Sequence, residues 1–246
     1  MDPQNTNVVG VLVTGKHTDR YPLARKAVEA WQSQNYPGNH VLLIVNDHPE
    51  ESLYSVAQIS QMSNVTELHL GRQHSLGHLR NVGIDTARVV MSDVDCIVQW
   101  DDDDYSGKDR LLYQVTNTPE DTLSMFRWEI HCNLLTGQAF ANCGDEIRCK
   151  GFPGTMLWPA NWDIRFPDKG KAEDTEFVLA ARNTVVLEND PRHYFRCYHG
   201  HNTWSEQHVM KRKRGSRDLT AQERVYVDQI LAKYDDVIGG LNAEAS

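Results

Sequence analysis

Four consecutive carboxylates, Asp101, Asp102, Asp103 and Asp104, follow the apolar run Cys96-Ile97-Val98 through Gln99-Trp100. Adjacent like charges beside a buried strand repel and raise one another's pKa. A divalent cation removes that cost: hard oxygen ligands suit Mg²⁺ or Mn²⁺, and Mg²⁺ is often held by one or two carboxylates plus substrate phosphates. A charge run is more commonly a solvated turn. Here it ends an apolar strand, and ligands of open α/β sheets gather just outside the carboxyl ends of strands, which favours a metal site. His199 and His201, two apart after an apolar and aromatic run, point to the same side of an extended chain and can both reach a metal. Asp47 after an apolar run reads first as a turn residue, and Glu173-Asp174 as acids favourably placed in a helix's first turn.

The elements that must position these groups alternate. Val8 to Val13 is a β-rich run ending at Thr14-Gly15, as in a buried parallel strand. Tyr21 to Gln34 carries Leu23, Ala27, Ala30 and Trp31 at helical spacing before Pro37-Gly38. Val41 to Val45 is a second strand, Ser52 to Met62 a helix, Val65 to Leu70 a third strand, and Leu76 to Ala87 a further helix. This alternation predicts βαβ units: an α/β fold with a mostly parallel central sheet flanked by helices. Thr14, Asp47 and Asp101 to Asp103 then meet at one edge of the sheet. The turn TGKHTDRY holds neither GxGxxG nor GxxxxGK[ST], so neither common phosphate loop is present.

The second half is less regular. Thr122 to Ile130 and Asn133 to Leu135 read as strands, followed by a loop to Lys150. An apolar segment covers Gly154 to Trp158, a helix opens at Glu173-Asp174 and runs through Ala181, and a strand precedes His199. Lys211-Arg212-Lys213-Arg214 reads first as a solvated basic run, with a flap over a diphosphate as the sharper reading. Leu219 to Tyr234 is spaced as an amphipathic helix, and the last eight residues, GGLNAEAS, read as a frayed tail.

Composition sets outer limits. The chain has 246 residues, 40% apolar and 24% charged, ordinary for a globular protein with a real core. With 25 basic and 34 acidic residues the net charge is −9, which gives no overall electrostatic case for nucleic acid or an anionic membrane. No apolar stretch approaches the length of a transmembrane anchor, and no leader pattern opens the chain, so a cytoplasmic location is expected. The five cysteines, Cys96, Cys132, Cys143, Cys149 and Cys197, form no CxxC pair and are expected as free thiols. His17, His48, His69, His74 and His78 are expected on the surface or in turns.

Val11 to Thr14, LLIVNDHPEES, LRNVGIDTA and QWDDDDYSGKDRL resemble the successive motifs of family 2 type glycosyltransferases of the GT-A fold. The resemblance covers about residues 7 to 115, and the Asp-rich portion is its most specific part. It implies that Thr14 and Asp47 contact the base of a nucleotide sugar and that Arg80 lies near the donor. The D-x-D-D pattern falls on Asp101, Asp103 and Asp104. Asp101 would contact ribose or metal, Asp103 would be the direct metal ligand, Asp102 would take the variable donor-side position, and Asp104 would cap the next helix. Further on, Gly154-Thr155 resembles the strand preceding the acceptor site, and Glu173-Asp174 the E-D motif whose Asp, here Asp174, is the general base of inverting enzymes. An HGxNTW pattern assigns the late metal ligand to His199, with His201 at a variable place.

The resulting expectation is a single GT-A (Rossmann-like) domain over 1–246: a nucleotide-sugar-binding half (1–115), an acceptor half (116–218) and a C-terminal helix and tail (219–246). The implied activity is Mn²⁺- or Mg²⁺-dependent transfer of a sugar from a nucleotide-sugar donor, UDP-linked, to an acceptor hydroxyl with inversion. A saccharide, glycolipid, protein or hydroxylated DNA base all remain open as acceptor. Two other classes use the same residues: a nucleotidyltransferase-like enzyme on the acidic site, and a catalytically inactive nucleotide-sugar or carbohydrate-binding module.

Overall fold

Strand β1 (Val8–Thr14) is buried on both faces, because its alternate side chains enter different cores. Val8 and Leu12 pack with Trp31 on one side, and Val9 and Val11 pack with Ile84 and Ala87 on the other. The computed structural model describes residues 1–15, 18–71, 74–200, 202 and 215–244, with side chains through 239. Helix α1 (Tyr21–Gln32) starts with Pro22 in its first turn and buries Leu23, Ala27, Ala30 and Trp31. After β2 (His40–Asn46), α2 (Val56–Ile59) and β3 (Val65–His69) comes α3 (Leu76–Val90), capped by the Ser75 hydroxyl. Gly83 lets α3 approach β1 closely, since a Cβ there would overlap the Val11 side chain. Strand β4 (Cys96–Gln99) leads into the acidic run.

The central sheet has seven strands in the order β10-β6-β9-β4-β1-β2-β3. β1, β2, β3 and β4 are mutually parallel, and β9 (Phe152–Pro159) runs antiparallel between β4 and β6. β6 (Leu123–Phe126) and β10 (Thr184–Leu187) complete it as a parallel pair. This is the mostly parallel α/β sheet that the alternation predicts. A second sheet joins β5 (Tyr105–Ser106), β11 (Tyr194–Tyr198), β7 (Trp128–Asn133) and β8 (Ala139–Cys143). Helices α4 (Arg110–Asn117), α5 (Glu173–Ala180), α6 (Ala221–Leu231) and α7 (Asp235–Glu244) fill out the structure. All five cysteines are free, as expected. Among the described residues no helix is long and apolar enough to cross a membrane.

Several boundaries differ from the sequence reading. Thr122 to Ile130 is two strands in two sheets, because the register shifts near Phe126 where the Thr155 hydroxyl accepts the Phe126 N–H. Only Val56–Ile59 of the Ser52 to Met62 segment is helical: the Glu67 carboxylate accepts the backbone N–H groups of Leu53 and Tyr54, holding them outside the helix. Asn133 to Leu135 ends β7 in a turn, with the Asn133 side chain accepting from the N–H of Leu135 and Thr136. β8 lies within the expected loop, and β10 had no counterpart in the reading. The expected tail begins inside α7, whose Val237 reaches the main core beside Tyr234.

Candidate active site

A cavity of about 310 Å³ opens where β1, β2 and β4 end, and Thr14, Asp47, Arg80, Asp101 to Asp104 and Asp174 all line it. Parallel strands set this meeting point, because their carboxyl ends all emerge on one edge. Residues up to 160 positions apart in sequence thereby share one wall.

Each carboxylate of the acidic run has its own partners. Asp101 accepts from Gln99 Nε2 at 2.8 Å, from Arg80 Nη2 at 3.3 Å and from the Tyr194 hydroxyl at 3.2 Å. Asp102 accepts from the Thr14 hydroxyl at 2.9 Å and from Arg20. Oδ2 of Asp103 lies 2.7 Å from Arg20 Nη2 and 3.3 Å from both His199 Nε2 and Asn202 Nδ2. Asp104 accepts the Cys197 N–H at 2.8 Å and bonds the Tyr194 hydroxyl. Asp104 therefore pins β11 to the acidic run and does not cap the following helix. At α4 the N-cap position is Asp109, with no side-chain cap bond.

Burial governs the protonation of this cluster. It raises Asp102 and Asp104, and the charge of Asp103 pushes Asp104 up further. Burial works on Asp103 in the same direction, but Arg20 and the His199 bond outweigh it and hold this carboxyl below the usual range. The Tyr194 hydroxyl lies within hydrogen-bond reach of both Asp101 and Asp104 and ties the two carboxyl groups together. Arg196 is held charged: burial works to lower its pKa, and Glu129, 3.4 Å from its Nε, and Asp104 overcome that. Gly154 makes room for this cluster, since a Cβ there would stand 2.9 Å from Asp101 Oδ2 and 3.1 Å from both Arg196 Nη2 and the Tyr194 hydroxyl.

The other expected residues fall as follows. Arg80 is buried in α3 and bridges Glu173 of α5 to Asp101, tying the acidic run to the Glu173-Asp174 turn. Asp47 is covered by His74, whose backbone N–H donates to Oδ2 at 2.6 Å and whose Nδ1 lies 2.7 Å from Oδ1. His74, in the turn before α3 as expected of a surface or turn residue, is also part of the cavity wall, which the sequence reading did not anticipate. Asp174 Oδ1 accepts the Thr175 N–H at 2.6 Å, and its other oxygen makes no hydrogen bond among the described residues. The turn into α5 passes through Ala172 at φ 56°, a left-handed conformation that an L residue adopts at a cost. His199 is itself buried and reaches Asp103 from behind the cavity wall, held by its own N–H to Asn202 Oδ1 at 2.8 Å. His201 and Lys211 to Arg214 lie outside the described residues, as does His17.

Among the described residues no three His, Cys, Asp or Glu side chains already converge on one point as a metal requires. Asp101 is turned toward Arg80, Gln99 and Tyr194. Asp103 and His199 do fit a divalent ion: their 3.3 Å separation is close to the ~3 Å edge of an octahedron with ligands at about 2.0–2.1 Å. The carboxylate oxygens of the acidic run, with diphosphate oxygens beside them, are the hard donors that suit Mn²⁺ or Mg²⁺, and Asp103 supplies one of them next to the His199 imidazole.

Sequence reasoning missed Arg20, His74, Tyr194, Arg196 and Asn202. Tyr194 and Arg196 left a signal, two polar-tipped residues two apart on an apolar strand, hence on one face. Arg20 left none, because an arginine in a polar turn is ordinary.

No family model and no curated protein matches the chain. Solved structures do. TarS 1–349 from S. aureus in complex with UDP is 16% identical with a TM-score of 0.59, over 82% of this chain and 68% of that one. The same TarS segment in complex with UDP-GlcNAc is 14% identical with a TM-score of 0.61, over 92% and 66%. A longer TarS chain is 17% identical with a TM-score of 0.56, over 93% of this chain and 43% of that one. At such identities the likeness is one of fold: this chain shares the α/β architecture of TarS, and its cavity lies at the strand ends of that architecture.

Proposed function

We propose that the protein is a glycosyltransferase that moves a sugar from a nucleotide-sugar donor, UDP-linked, to an acceptor hydroxyl with inversion. The observation that carries this reading is the single cavity, in a fold shared with the glycosyltransferase TarS in its UDP and UDP-GlcNAc complexes, that gathers the nucleotide-side and base-side residues of the motif resemblance. Thr14 and Asp47 sit at the ends of β1 and β2, on the side proposed for the nucleobase. Asp103 and His199, with Asp101 on the nucleotide side, would hold Mn²⁺ or Mg²⁺, and when bound that ion neutralises the leaving diphosphate.

The chain's own residues divide the remaining work. Asp174 takes the proton of the attacking hydroxyl, and the bond to Thr175 fixes one carboxylate oxygen while the other stays available to the acceptor. Glu173 cannot share that role: it is buried and committed to Arg80. Arg80 in turn fixes the distance between the base and the acidic run, which is an orientation effect.

A thermal-shift panel of UDP and UDP-GlcNAc, with and without Mn²⁺, tests the donor assignment on wild type and Asp103→Ala. A ligand that binds only the folded state raises the melting temperature. The expected result is stabilisation by UDP or UDP-GlcNAc that grows with Mn²⁺ and loses that growth in Asp103→Ala. No shift with any nucleotide under any metal condition would sink the reading.

A further inference from the structure

Arg20 occupies the place of a small cation. It leaves the end of β1 on a single 3₁₀ turn (Thr18–Arg20) directly before α1, so its guanidinium turns back over the strand end. Its Nη2 bonds Asp102 and lies 2.7 Å from Oδ2 of Asp103, with the arginine side chain 17% exposed and the two carboxylates 9% and 15%. Burial works against its charge, but all four aspartates of the run act to keep it protonated and carry the balance. The other oxygen of Asp102 is anchored by the Thr14 hydroxyl.

The oxygen of Asp103 that Arg20 approaches is the one facing His199 Nε2, and Asn202 Nδ2 lies at the same 3.3 Å. A metal shared by Asp103 and His199 needs that oxygen. A guanidinium 2.7 Å from it and a divalent ion bound to it would be two cations in contact among largely buried side chains, where like charges repel strongly. The two occupants are therefore alternatives.

We propose that Arg20 is the resident counter-cation of the acidic run, and that a divalent ion takes Asp103 only as Arg20 withdraws from it while keeping Asp102. The inference rests on the metal-dependent reading of the same site. Its consequence is a metal affinity that the chain itself holds down, so that the ion binds firmly only when a donor diphosphate contributes oxygens and charge of its own. Arg20 is in this sense a positioning residue that links metal loading to nucleotide loading.

The test is Mn²⁺ binding without substrate, by calorimetry or by the electron paramagnetic resonance of free Mn²⁺, on wild type and Arg20→Ala. Arg20→Ala is expected to bind Mn²⁺ at least about tenfold more tightly. Guanidinium chloride, too dilute to denature and matched against NaCl, is expected to weaken Mn²⁺ binding to Arg20→Ala and leave wild type unchanged, because it refills the vacated place. Equal or weaker Mn²⁺ binding by the variant, or no competition by guanidinium, overturns the proposal while leaving the metal site standing. If neither protein binds Mn²⁺ and UDP still stabilises both, the metal-dependent reading fails and this inference with it. Arg20→Gln, which keeps a donor for Asp102 without the charge, serves as the second variant if alanine leaves the chain unfolded, with the same tenfold expectation.

Discussion

Glu173 and Asp174 are neighbours of one chemical class, and their surroundings give them different tasks. Glu173 is raised by burial and paired with Arg80, whereas Asp174 is half-buried, lines the cavity and keeps one oxygen without a hydrogen bond among the described residues. Asp174→Asn is expected to lower turnover by about 10²–10⁴-fold, the usual worth of a general base, with UDP binding unchanged in a thermal-shift assay. Glu173→Gln is expected to act on stability instead: it leaves the buried Arg80 with Asp101 as its remaining charge partner and costs about 1.5–3 kcal/mol in denaturant unfolding. Asp174→Asn that transfers sugar at the wild-type rate would remove the base assignment.

At the scale of elements, α6 shows how a helix start is tied to the sheet behind it. The Thr220 hydroxyl caps the Glu223 N–H, the Glu223 side chain caps the Thr220 N–H, and the same carboxylate accepts two bonds from Arg217 at 2.8 and 2.7 Å. Arg217 in turn pairs its backbone with Ala141 of β8. The Arg217 bonds hold Glu223 below its ordinary pKa. A lowered folded-state pKa means that this stabilisation is complete above the unfolded value of about 4.3 and is lost as pH falls through the folded one. The melting temperature of Glu223→Gln should therefore fall short of wild type at neutral pH and draw level with it only in acid, once the pH lies below the lowered folded-state pKa of Glu223. A deficit that persists unchanged in acid would show that packing, not the charge, is what Glu223 supplies. The capping box is a sequence signature, but its partner Arg217 is not, because nothing local to Ser216-Arg217-Asp218 announces β8.

For the whole molecule, β9 decides how the two halves relate. It lies antiparallel between β4, from the first half, and β6, from the second, so one sheet runs through both. Leu157, fully buried, stands opposite both Val98 and Ser124. Leu157→Ala is expected to cost about 2–5 kcal/mol, and tryptophan fluorescence and far-ultraviolet circular dichroism should shift together in one transition. Two separated transitions would show that the halves unfold independently and that β9 does not couple them.

The fold class and the strand-end residues of the cavity were legible because they depend on local pattern. The apolar runs of β1, β2 and β4 define parallel strands, and a residue that ends a parallel strand must lie at the ligand edge, which places Thr14, Asp47 and Asp101 to Asp103 without any knowledge of contacts. Asp174 was legible only through motif resemblance, and spacing after a strand left His199 and His201 as alternatives that only the resemblance separated. The tertiary structure alone decided which charge meets which. Arg20 on Asp103, Arg80 on Glu173, His74 on Asp47 and Tyr194 on Asp104 join residues 27 to 93 positions apart. Those pairings depend on burial and on distances of a few ångströms, and hydrophobic periodicity carries no information about either. The division of Thr122 to Ile130 between two sheets was hidden for the same reason: both strands are apolar, and only the partners available on each side separate them.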